Sequence, residues 1–424
     1  MNPISRKFQA QLPKLDRAVW ILMLGRLLSQ VGTGFVLFYA AVFFVNEVGL
    51  SATAVGIGIG SESISGVFGR IIGGLMSDSP RWGRRKTLLL SAAFSAVADI
   101  MLALSYNFPT FLLSNLLMGL GVGLYWPSME SAVADLTAID QRNEAYALTR
   151  LADNLGLALG VVFGGLLIGA TGAFRLLFWI DGISFVVFLG IIHGAIRETL
   201  NVDRATKQIW RGWAVALRDH PLRIYVAVNV LFTTYLSLLN TALPLYLTNF
   251  VGFGQRSGQA ANGEANFTAL SLLFTWYIVL AALLQLPVAR WLNRYTHPQV
   301  LSVSAVFWAI GFLLVWLTGS LPGGTALWAG LSVAVMAIAT IAYTPAASAL
   351  VANLAPESMR GVYLSINSLC WAVGYFIGPI IGGWAMGQSI EIAHSFWLVG
   401  IGSVGVALGI LVYLDRSLKS RAWN

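Results

Sequence analysis

The sequence predicts an all-α membrane protein whose twelve transmembrane helices form two parallel six-helix repeats. Three observations lead to this fold class: the composition, the spacing of the apolar runs and an internal repeat. Of the 424 residues, 57% are hydrophobic and 10% are charged, whereas a soluble domain carries about 25% charged residues. Apolar runs of ~20 residues, the length that spans a bilayer as a helix, recur about twelve times. Backbone groups in lipid must be paired within the segment, so each run is predicted to be a helix.

One long polar connection lies on the inside of the predicted topology, with six predicted helices on either side of it. The helices are predicted at residues 18–46, 52–77, 87–107, 109–134, 143–170, 174–195, 223–247, 266–291, 299–319, 325–352, 360–386 and 393–414. The long connection predicts a domain organisation in three parts: an N-terminal six-helix bundle at 1–195, a cytoplasmic linker at 196–222 and a C-terminal six-helix bundle at 223–424.

The basic residues lie mostly on one side of the predicted topology. With the N-terminus inside, the exceptions among the 26 Lys and Arg residues are Arg26, Arg70, Arg150, Arg175 and Arg256. This bias predicts that both termini are cytoplasmic, and it explains the net charge of +8 without a nucleic-acid partner. We therefore expect a multi-pass protein of the cell (inner) membrane. The apolar run after the basic N-terminal tail is too long for a cleaved signal peptide.

An internal repeat relates the two halves of the chain at a constant shift of 218 residues, the separation of Tyr125 from Tyr343. The same shift pairs the glycines of helix 5 with those of helix 11: Gly156, Gly160, Gly164, Gly165 and Gly169 match Gly374, Gly378, Gly382, Gly383 and Gly387. The shift spans six helices, an even number, so the two copies run in the same direction across the membrane. Parallel repeats of this kind are typical of transporters that move two halves around a midplane site. Glycines four residues apart also have a purely structural use, because they allow close helix packing.

The loop after helix 2 reads "GLMSDSPRWGRRK", and helix 4 ends in "ADLTAIDQR". Over its whole length the chain resembles the major facilitator superfamily, whose cytoplasmic signature combines glycine and aspartate with a later glycine and a basic cluster. The spacing differs, because "SPRW" adds about two residues between Asp78 and the later glycine. The resemblance implies an inner gate, a latch of charge-assisted bonds that holds the halves together when the outside is open. Its predicted residues are Gly74, Asp78, Gly83, Arg84, Arg85 and Asp135. The alternative is a basic loop that serves topology alone.

Within that superfamily the chain is most similar to the twelve-helix drug:proton antiporters. Their fifth helix carries a Gly-x3-Gly-Pro-x2-Gly-Gly run; helix 5 here reads "GLALGVVFGG", and the complete form "GYFIGPIIGG" lies in helix 11. Asn115 stands where helix 4 of such exporters often has arginine. The resemblance implies a monomeric secondary active transporter, without cofactor or metal, that exchanges protons for a small amphipathic solute. Uptake of a metabolite and translocation of a lipid remain alternatives.

Charged residues inside the predicted helices need a reason, because each costs about 2.5–3.5 kcal/mol at the bilayer centre on insertion scales. They are Arg26, Glu62, Arg70, Asp99, Glu130, Arg150 and Asp153, all before the central linker. We predict proton coupling by Glu130, Asp153, Arg150 and Glu62, with Arg150 as the charge for which two carboxylates compete. For Arg70 and Asp99 we expect structural ion pairing instead.

The second half supplies aromatic and hydrogen-bonding side chains rather than charges. An aromatic wall with few polar groups suits an amphipathic solute, cationic ones included. By the family resemblance, helices 1, 4, 7 and 10 line the cavity. The predicted substrate-cavity residues are Arg26, Asn229, Thr233, Tyr235, Asn240, Trp276, Gln285 and Tyr343. Packing is the competing interpretation for each of them.

Other classes of protein are disfavoured. A membrane enzyme would need a metal or nucleophile constellation, but the sequence has neither H-E-x-x-H nor G-x-S-x-G, and the four histidines have no metal-ligand spacing. With a single cysteine, Cys370, no intrachain disulfide can form. A sensor or scaffold that does not transport is the remaining alternative of another class. The expected partners are a small-molecule substrate, protons and the lipid bilayer.

Overall fold

The computed structural model describes residues 15–138, 141–199, 215–253, 267–292, 294–321, 323–356 and 360–421. Over these residues the chain forms the twelve long helices that the sequence predicts. They are α1 (Arg17–Val36), α2 (Ala52–Ser77), α3 (Gly83–Ala103), α4 (Phe108–Leu136), α5 (Arg142–Thr171), α6 (Phe174–Ala195), α7 (His220–Asn249), α8 (Phe267–Leu292), α9 (His297–Ser320), α10 (Thr325–Leu354), α11 (Arg360–Met386) and α12 (Ile390–Arg421).

Within the described residues, ten helices are long and apolar enough to cross a membrane. The two below that threshold are α2, which carries Glu62 and Arg70 among many glycines and serines, and α8, whose apolar part is the shorter stretch Ala269–Gln285. Both helices pack against the other half of the molecule. Helices that face protein rather than lipid tolerate this lower apolar content.

The observed helices are longer than the apolar runs in several places. Helix α7 begins at His220 instead of residue 223, and α12 continues to Arg421 instead of residue 414. Helix α3 keeps its predicted length but is shifted, to Gly83–Ala103 instead of 87–107. In α12 an i,i+4 salt bridge of 2.6 Å between Lys419 and Asp415 lies in the added turns. The apolar window misses such ends because charged residues outside the bilayer still favour a helix. Beyond α1, a short helix at Ala40–Val42 and a π-helical turn at Phe43–Glu47 continue the first span.

The helix contacts repeat between the two halves. In the first half α1 packs on α5 and α6, α4 packs on α2 and α3, and α3 packs on α6. In the second half α7 packs on α11 and α12, α10 packs on α8 and α9, and α9 packs on α12. Each pair in one bundle corresponds to a pair six helices later, so the sequence repeat is a repeat of architecture. The predicted linker falls largely on residues 200–214, which lie outside the described part of the chain.

The two bundles meet along α2 with α11 and along α5 with α8. We call the end that carries the loop 78–83 the basic end, and the other the opposite end. The closest approaches lie toward the opposite end, where a Cβ on Gly60 would come within 2.8 Å of the Phe376 carbonyl oxygen and one on Gly383 within 2.4 Å of that of Ala52. At the same end, Asn46 Nδ2 donates to Asn249 Oδ1 at 2.9 Å. Only glycine permits such close contact between helix backbones.

Candidate functional site

A buried ion pair joins the first and fifth helices. Arg26 Nε of α1 lies 2.6 Å from Asp153 Oδ1 of α5, and the two residues are 7% and 5% exposed. Glycines of α5 allow the close packing that brings them together, because a Cβ on Gly156 would lie 2.5 Å from the Leu27 carbonyl oxygen. The ion pair therefore depends on the tight α1–α5 contact.

Aromatic rings of α4 complete the surroundings of Arg26. The guanidinium carbon lies 4.0 Å from the centroid of the Tyr125 ring and 5.2 Å from that of Trp126. Ring faces attract such a cation, more strongly when it is desolvated. Asp153 Oδ2, by contrast, has no hydrogen-bond partner within the described part of the chain.

This arrangement changes the predicted proton-coupling group. The sequence offers Arg150, three residues away on the same helix, as the counter-ion of Asp153, whereas the structure provides Arg26 from a different helix. The side chain of Arg150 lies outside the described residues. Glu130 is exposed on α4 and interacts electrostatically with Arg70 of α2. Its predicted role with Asp153 stays a prediction.

The expected ion pairing of Asp99 is wrong. Asp99 is fully buried on α3, and neither of its carboxylate oxygens has a hydrogen-bond partner within the described residues. Its electrostatic neighbours are two other carboxyl groups, those of Asp181 on α6 and Glu62 on α2. Arg70, the expected partner, interacts with Glu130 instead. Glu62 thus belongs with Asp99 and Asp181 rather than with Asp153.

Asp181 is a further buried charge, absent from those singled out in the sequence. It lies in "FWIDGISF", an apolar stretch of the predicted sixth helix, and it is 3% exposed in the structure. The signal was present, because an acidic residue flanked by isoleucine and glycine in a spanning segment is as costly as any other. Only the packing of α3 on α6 brings it near Asp99.

In the second half, the predicted polar residues form a buried hydrogen-bond network. Tyr343 of α10 donates its hydroxyl to Asn229 Oδ1 of α7 at 2.6 Å, and Asn229 Nδ2 donates to Asn367 Oδ1 of α11 at 2.9 Å. The Tyr225 hydroxyl also donates to Asn367 Oδ1. Asn229 and Tyr343 are 1% and 0% exposed. In this conformation they connect three helices, and contact with a substrate stays a prediction.

The other predicted cavity residues are placed differently from one another. Thr233 is buried and donates to the Cys370 carbonyl oxygen at 2.9 Å. Tyr235 faces α12, where its hydroxyl is 2.9 Å from Ser403 Oγ. Asn240 is half-buried on α7. Trp276 and Gln285 of α8 are exposed.

An aromatic stack occupies the repeat position of the ion pair. Trp371 stands 218 residues after Asp153, and its ring centroid lies 6.1 Å from that of Tyr343 and 5.8 Å from that of Tyr375. Tyr343 also stacks on Phe232 at 4.9 Å. Tyr125, the repeat partner of Tyr343, packs on Arg26 instead. One bundle therefore carries a charged pair where the other carries aromatic rings.

The predicted gate residues form a network at the basic end. Arg84 Nη1 donates to Asp78 Oδ1 at 2.7 Å, and Arg84 Nε donates to Asp135 Oδ2 of α4 at 3.2 Å. Glu198 accepts from the backbone N–H groups of Arg84 and Arg85 at 2.9 and 3.2 Å, which satisfies the N-terminus of α3. These contacts join the N-terminal bundle to itself and to Glu198 at the start of the predicted linker. Among the described residues none of them is the bond between halves that the latch requires.

Two glycines frame this network. Gly83 has a positive φ of 70°, a conformation that favours glycine, and Glu198 occupies the place where its Cβ would stand. A Cβ on Gly74 would meet nothing within 4 Å. Arg85 Nη2 donates to the His193 carbonyl oxygen at 2.7 Å, which ties α3 to the end of α6. The gate glycine with a structural requirement is therefore Gly83.

Exposed polar side chains occur on spanning helices from both halves. In the halves of these helices nearer the basic end they include Glu130 of α4, Asn154 of α5, Gln285 of α8, Thr344 and Ser348 of α10, and Ser365 and Ser368 of α11. Toward the opposite end they include Thr110 of α4, Asn249 of α7 and Ser395 of α12. Polar groups at membrane depth face protein or a water-filled cavity rather than lipid.

The family model of the Major Facilitator Superfamily matches residues 22–263 and, in a second match, residues 260–423. The chain belongs to this superfamily. Among curated relatives, the Na(+), Li(+), K(+)/H(+) antiporter of Planococcus maritimus is 24% identical over 86% of this chain and 88% of its own length. The quinolone resistance protein NorA of Staphylococcus aureus (strain MSSA476) is 22% identical over 97% of this chain and 100% of its own length.

Among solved structures, the nucleoside transporter NupG is similar with a TM-score of 0.76 at 15% identity, over 94% of this chain and 99% of that one. At such identity the likeness shows the fold alone. Membership of the superfamily, together with these relatives, identifies the chain as a multi-pass membrane transporter with a small-molecule substrate and not as an enzyme.

Proposed function

We propose that this major facilitator superfamily transporter exports a small amphipathic solute in exchange for protons. The observation that carries the proposal is the buried Arg26–Asp153 pair, whose second carboxylate oxygen has no hydrogen-bond partner in the described residues. A proton-coupled transporter needs a group whose charge changes as access alternates, and a carboxylate held by one buried cation suits that role. Relatives described as a quinolone resistance protein and as a cation/proton antiporter support the same class.

The first step concerns the ion pair. A proton reaching Asp153 forms an O–H bond at Oδ2, the oxygen not bonded to Arg26, and cancels the negative charge of the pair. Arg26 Nε can still donate to Oδ1, but the guanidinium has lost its counter-charge, and its described neighbours are then this neutral carboxyl and the rings of Tyr125 and Trp126. An uncompensated buried charge costs about 3–5 kcal/mol. Protonation therefore favours a conformation in which Arg26 reaches water or another carboxylate.

The second step concerns the carboxylate that receives the arginine. Glu130 lies on α4, the helix that supplies Tyr125 and Trp126, and it is exposed. We propose that Glu130 and Asp153 alternate as proton carriers, with Arg150 and Arg26 as the cations available to them. Arg26 and Asp153 join α1 to α5, and α5 lies against α8 of the other half. A change in this pair is therefore next to the surface along which the two bundles move.

The substrate path is proposed to open at the basic end. The bundles pack closely at the opposite end, while exposed polar side chains occur on helices α4, α5, α8, α10 and α11 nearer the basic end. With the basic end in the cytoplasm, as the positive-inside rule predicts, this is an inward-facing state ready to take up a solute for export. The half-buried rings of Trp371 and Tyr375, next to the buried Tyr343, offer ring faces to such a solute.

The test is transport in proteoliposomes with an imposed proton gradient. Uptake and efflux of amphipathic cations, and of a nucleoside and a sugar for comparison, are measured in both gradient directions. Export in exchange for protons predicts substrate movement opposite to the proton flow. Movement in the same direction as protons would make the protein an importer, and transport of a cation dye that ignores the gradient would remove proton coupling.

A further inference from the structure

A second buried acidic group lies apart from the Arg26–Asp153 pair. Asp99 of α3 is 0% exposed and Asp181 of α6 is 3% exposed. Both Asp99 oxygens lack a hydrogen-bond partner within the described residues. Such groups are rare in folded proteins, because an unsatisfied buried polar atom keeps its full desolvation cost. Asp99 therefore needs a ligand that the helices themselves do not provide.

The packing around Asp99 brings it next to the backbone of α6. A Cβ on Gly182 would lie 3.2 Å from the Cβ of Asp99. Asp99 therefore contacts α6 at Gly182, the residue that follows Asp181 in the chain. Asp181 in turn lies against α1, since a Cβ on Gly32 would be 2.5 Å from its Oδ1. The Ser184 hydroxyl is 3.4 Å from the same oxygen, a weak contact. Small residues on α1 and α6 thus leave room for both carboxyl groups.

The charged groups around this pair are also acidic. Asp99 interacts electrostatically with Asp181 and with Glu62 of α2, and Asp181 interacts with Glu62. On α4, which packs on both α2 and α3, the titratable residues Tyr125, Glu130 and Asp135 all lie toward the basic end. Arg26 on α1 is bound to Asp153, Arg70 on α2 interacts with Glu130, and Arg175 on α6 donates to the Ala103 carbonyl oxygen. Each of these cations is thus engaged elsewhere.

We propose that Asp99 and Asp181 form a proton-binding pair in which at least one carboxyl stays protonated in the folded protein. Two adjacent carboxylates in a dry site repel one another, and sharing a single proton removes one of the two charges. Protonation gives a carboxyl group an O–H donor, whereas the oxygens of an ionised carboxylate can only accept hydrogen bonds. The bound proton thereby gives α3 and α6 a hydrogen-bonding group at their contact.

A proton fits this site better than a metal ion. No group of three or more His, Cys, Asp or Glu residues in the described part of the chain has the geometry to hold a metal. A monovalent cation would need several oxygen ligands, whereas a proton needs one carboxyl oxygen. This proposal does not depend on the export function proposed above, because the pair requires a resident proton whether or not transport is coupled to protons.

The test compares purified wild-type protein with Asp99→Asn, Asp181→Asn and the control Asp415→Asn, an aspartate near the end of α12 that pairs with Lys419. Infrared spectra at neutral pH should contain the carbonyl stretch of a protonated carboxyl in the wild type and in the control. The band should be weaker in at least one of the two pair variants, because the carboxyl that holds the proton has been replaced by an amide. A wild-type spectrum without that band overturns the proposal, as does a band that both pair variants retain.

Thermal unfolding in detergent gives a second readout. The folded protein would hold one proton more than the unfolded chain, whose aspartates are ionised above about pH 5. Stability should then fall as the pH rises, and the unfolding constant should increase by up to tenfold per pH unit from this pair. Asp99→Asn should flatten that dependence and Asp415→Asn should not. Equal slopes in all variants contradict the proposal, and a stabilisation of the wild type alone by added Na⁺ at alkaline pH would make this a cation site instead.

Discussion

The side chains of Arg26 and Asp153 lie 2.6 Å apart, although 127 positions separate the residues in the chain. The pair occurs in one half of a repeated architecture, and Trp371 stands at the repeat position of Asp153. A feature that the repeat does not require and that costs free energy to bury points to a role beyond packing. A coupling role and a structural role lead to different expected effects of substitutions at this pair.

Asp153→Asn should abolish gradient-driven accumulation, because the amide cannot exchange a proton, while substrate binding and passive exchange remain measurable. Accumulation and counterflow in proteoliposomes provide the two readouts. Asn154→Asp is the matched control, since it adds a carboxyl one residue away at an exposed position. If Asp153→Asn and Glu130→Gln retain full accumulation, singly and together, the coupling role is lost and the pair is a packing device.

Arg26→Ala should be more damaging than Asp153→Asn, because it leaves a carboxylate buried without its cation. The expected loss of stability is about 3–5 kcal/mol, seen as a lower unfolding temperature in detergent. The double variant Arg26→Ala with Asp153→Ala should recover part of that loss. Arg150→Ala decides between the two arginines. If Arg150→Ala destabilises the protein as Arg26→Ala is expected to, and Arg26→Ala does not, the cation assignment must be reversed.

Asp78→Asn should leave expression and insertion intact but slow turnover. Asp78 is exposed and bonds to Arg84, which also holds Asp135, so its removal frees an arginine that the gate needs without unfolding the loop. An exposed pair contributes about 0–1 kcal/mol to stability, so the melting temperature should barely change. Initial transport rates test the variant against Asp415→Asn, and a wild-type rate would remove the latch from the mechanism.

Gly383→Leu should block alternation. The Gly383 backbone lies against that of Gly56 and Ala52 at the opposite end, and a leucine side chain cannot fit there while the bundles are closed. The variant should favour states open at the opposite end and lose net transport. Gly402→Leu is the control, because a Cβ at that glycine meets nothing within 4 Å. Crosslinking between cysteines at Asn46 and Asn249 measures closure, and unchanged crosslinking in Gly383→Leu contradicts the prediction.

The orientation has its own test. After replacement of Cys370, single cysteines in 196–222 should react with an impermeant thiol reagent only from the cytoplasm. Single cysteines in 250–264 should react only from outside. This follows from the placement of basic residues on one side of the predicted topology. The reverse labelling pattern would place the basic end outside and invert the proposed direction of opening.

The sequence by itself determined the number of helices, the approximate bounds of most of them and the parallel repeat. These features follow from local composition and from a fixed register, which need no knowledge of neighbouring helices. The gate loop was also predictable, since Arg84 is six residues from Asp78 and its second partner, Asp135, ends the helix that packs on α3. Polar side chains in a short loop reach only the loop itself and the neighbouring helix ends, so few partners are available to them.

The tertiary structure alone decided which charges meet inside the membrane. Sequence spacing favoured Arg150 for Asp153 because residues three apart share a helix face, yet the structure brings Arg26 to Asp153. It also separated Arg70 from Asp99 and gathered Asp181, Asp99 and Glu62. The physical reason is that contact between helices depends on the rotation and depth of each helix. Those are set by glycine contacts such as Gly156 with Leu27, which residue types on one helix do not reveal.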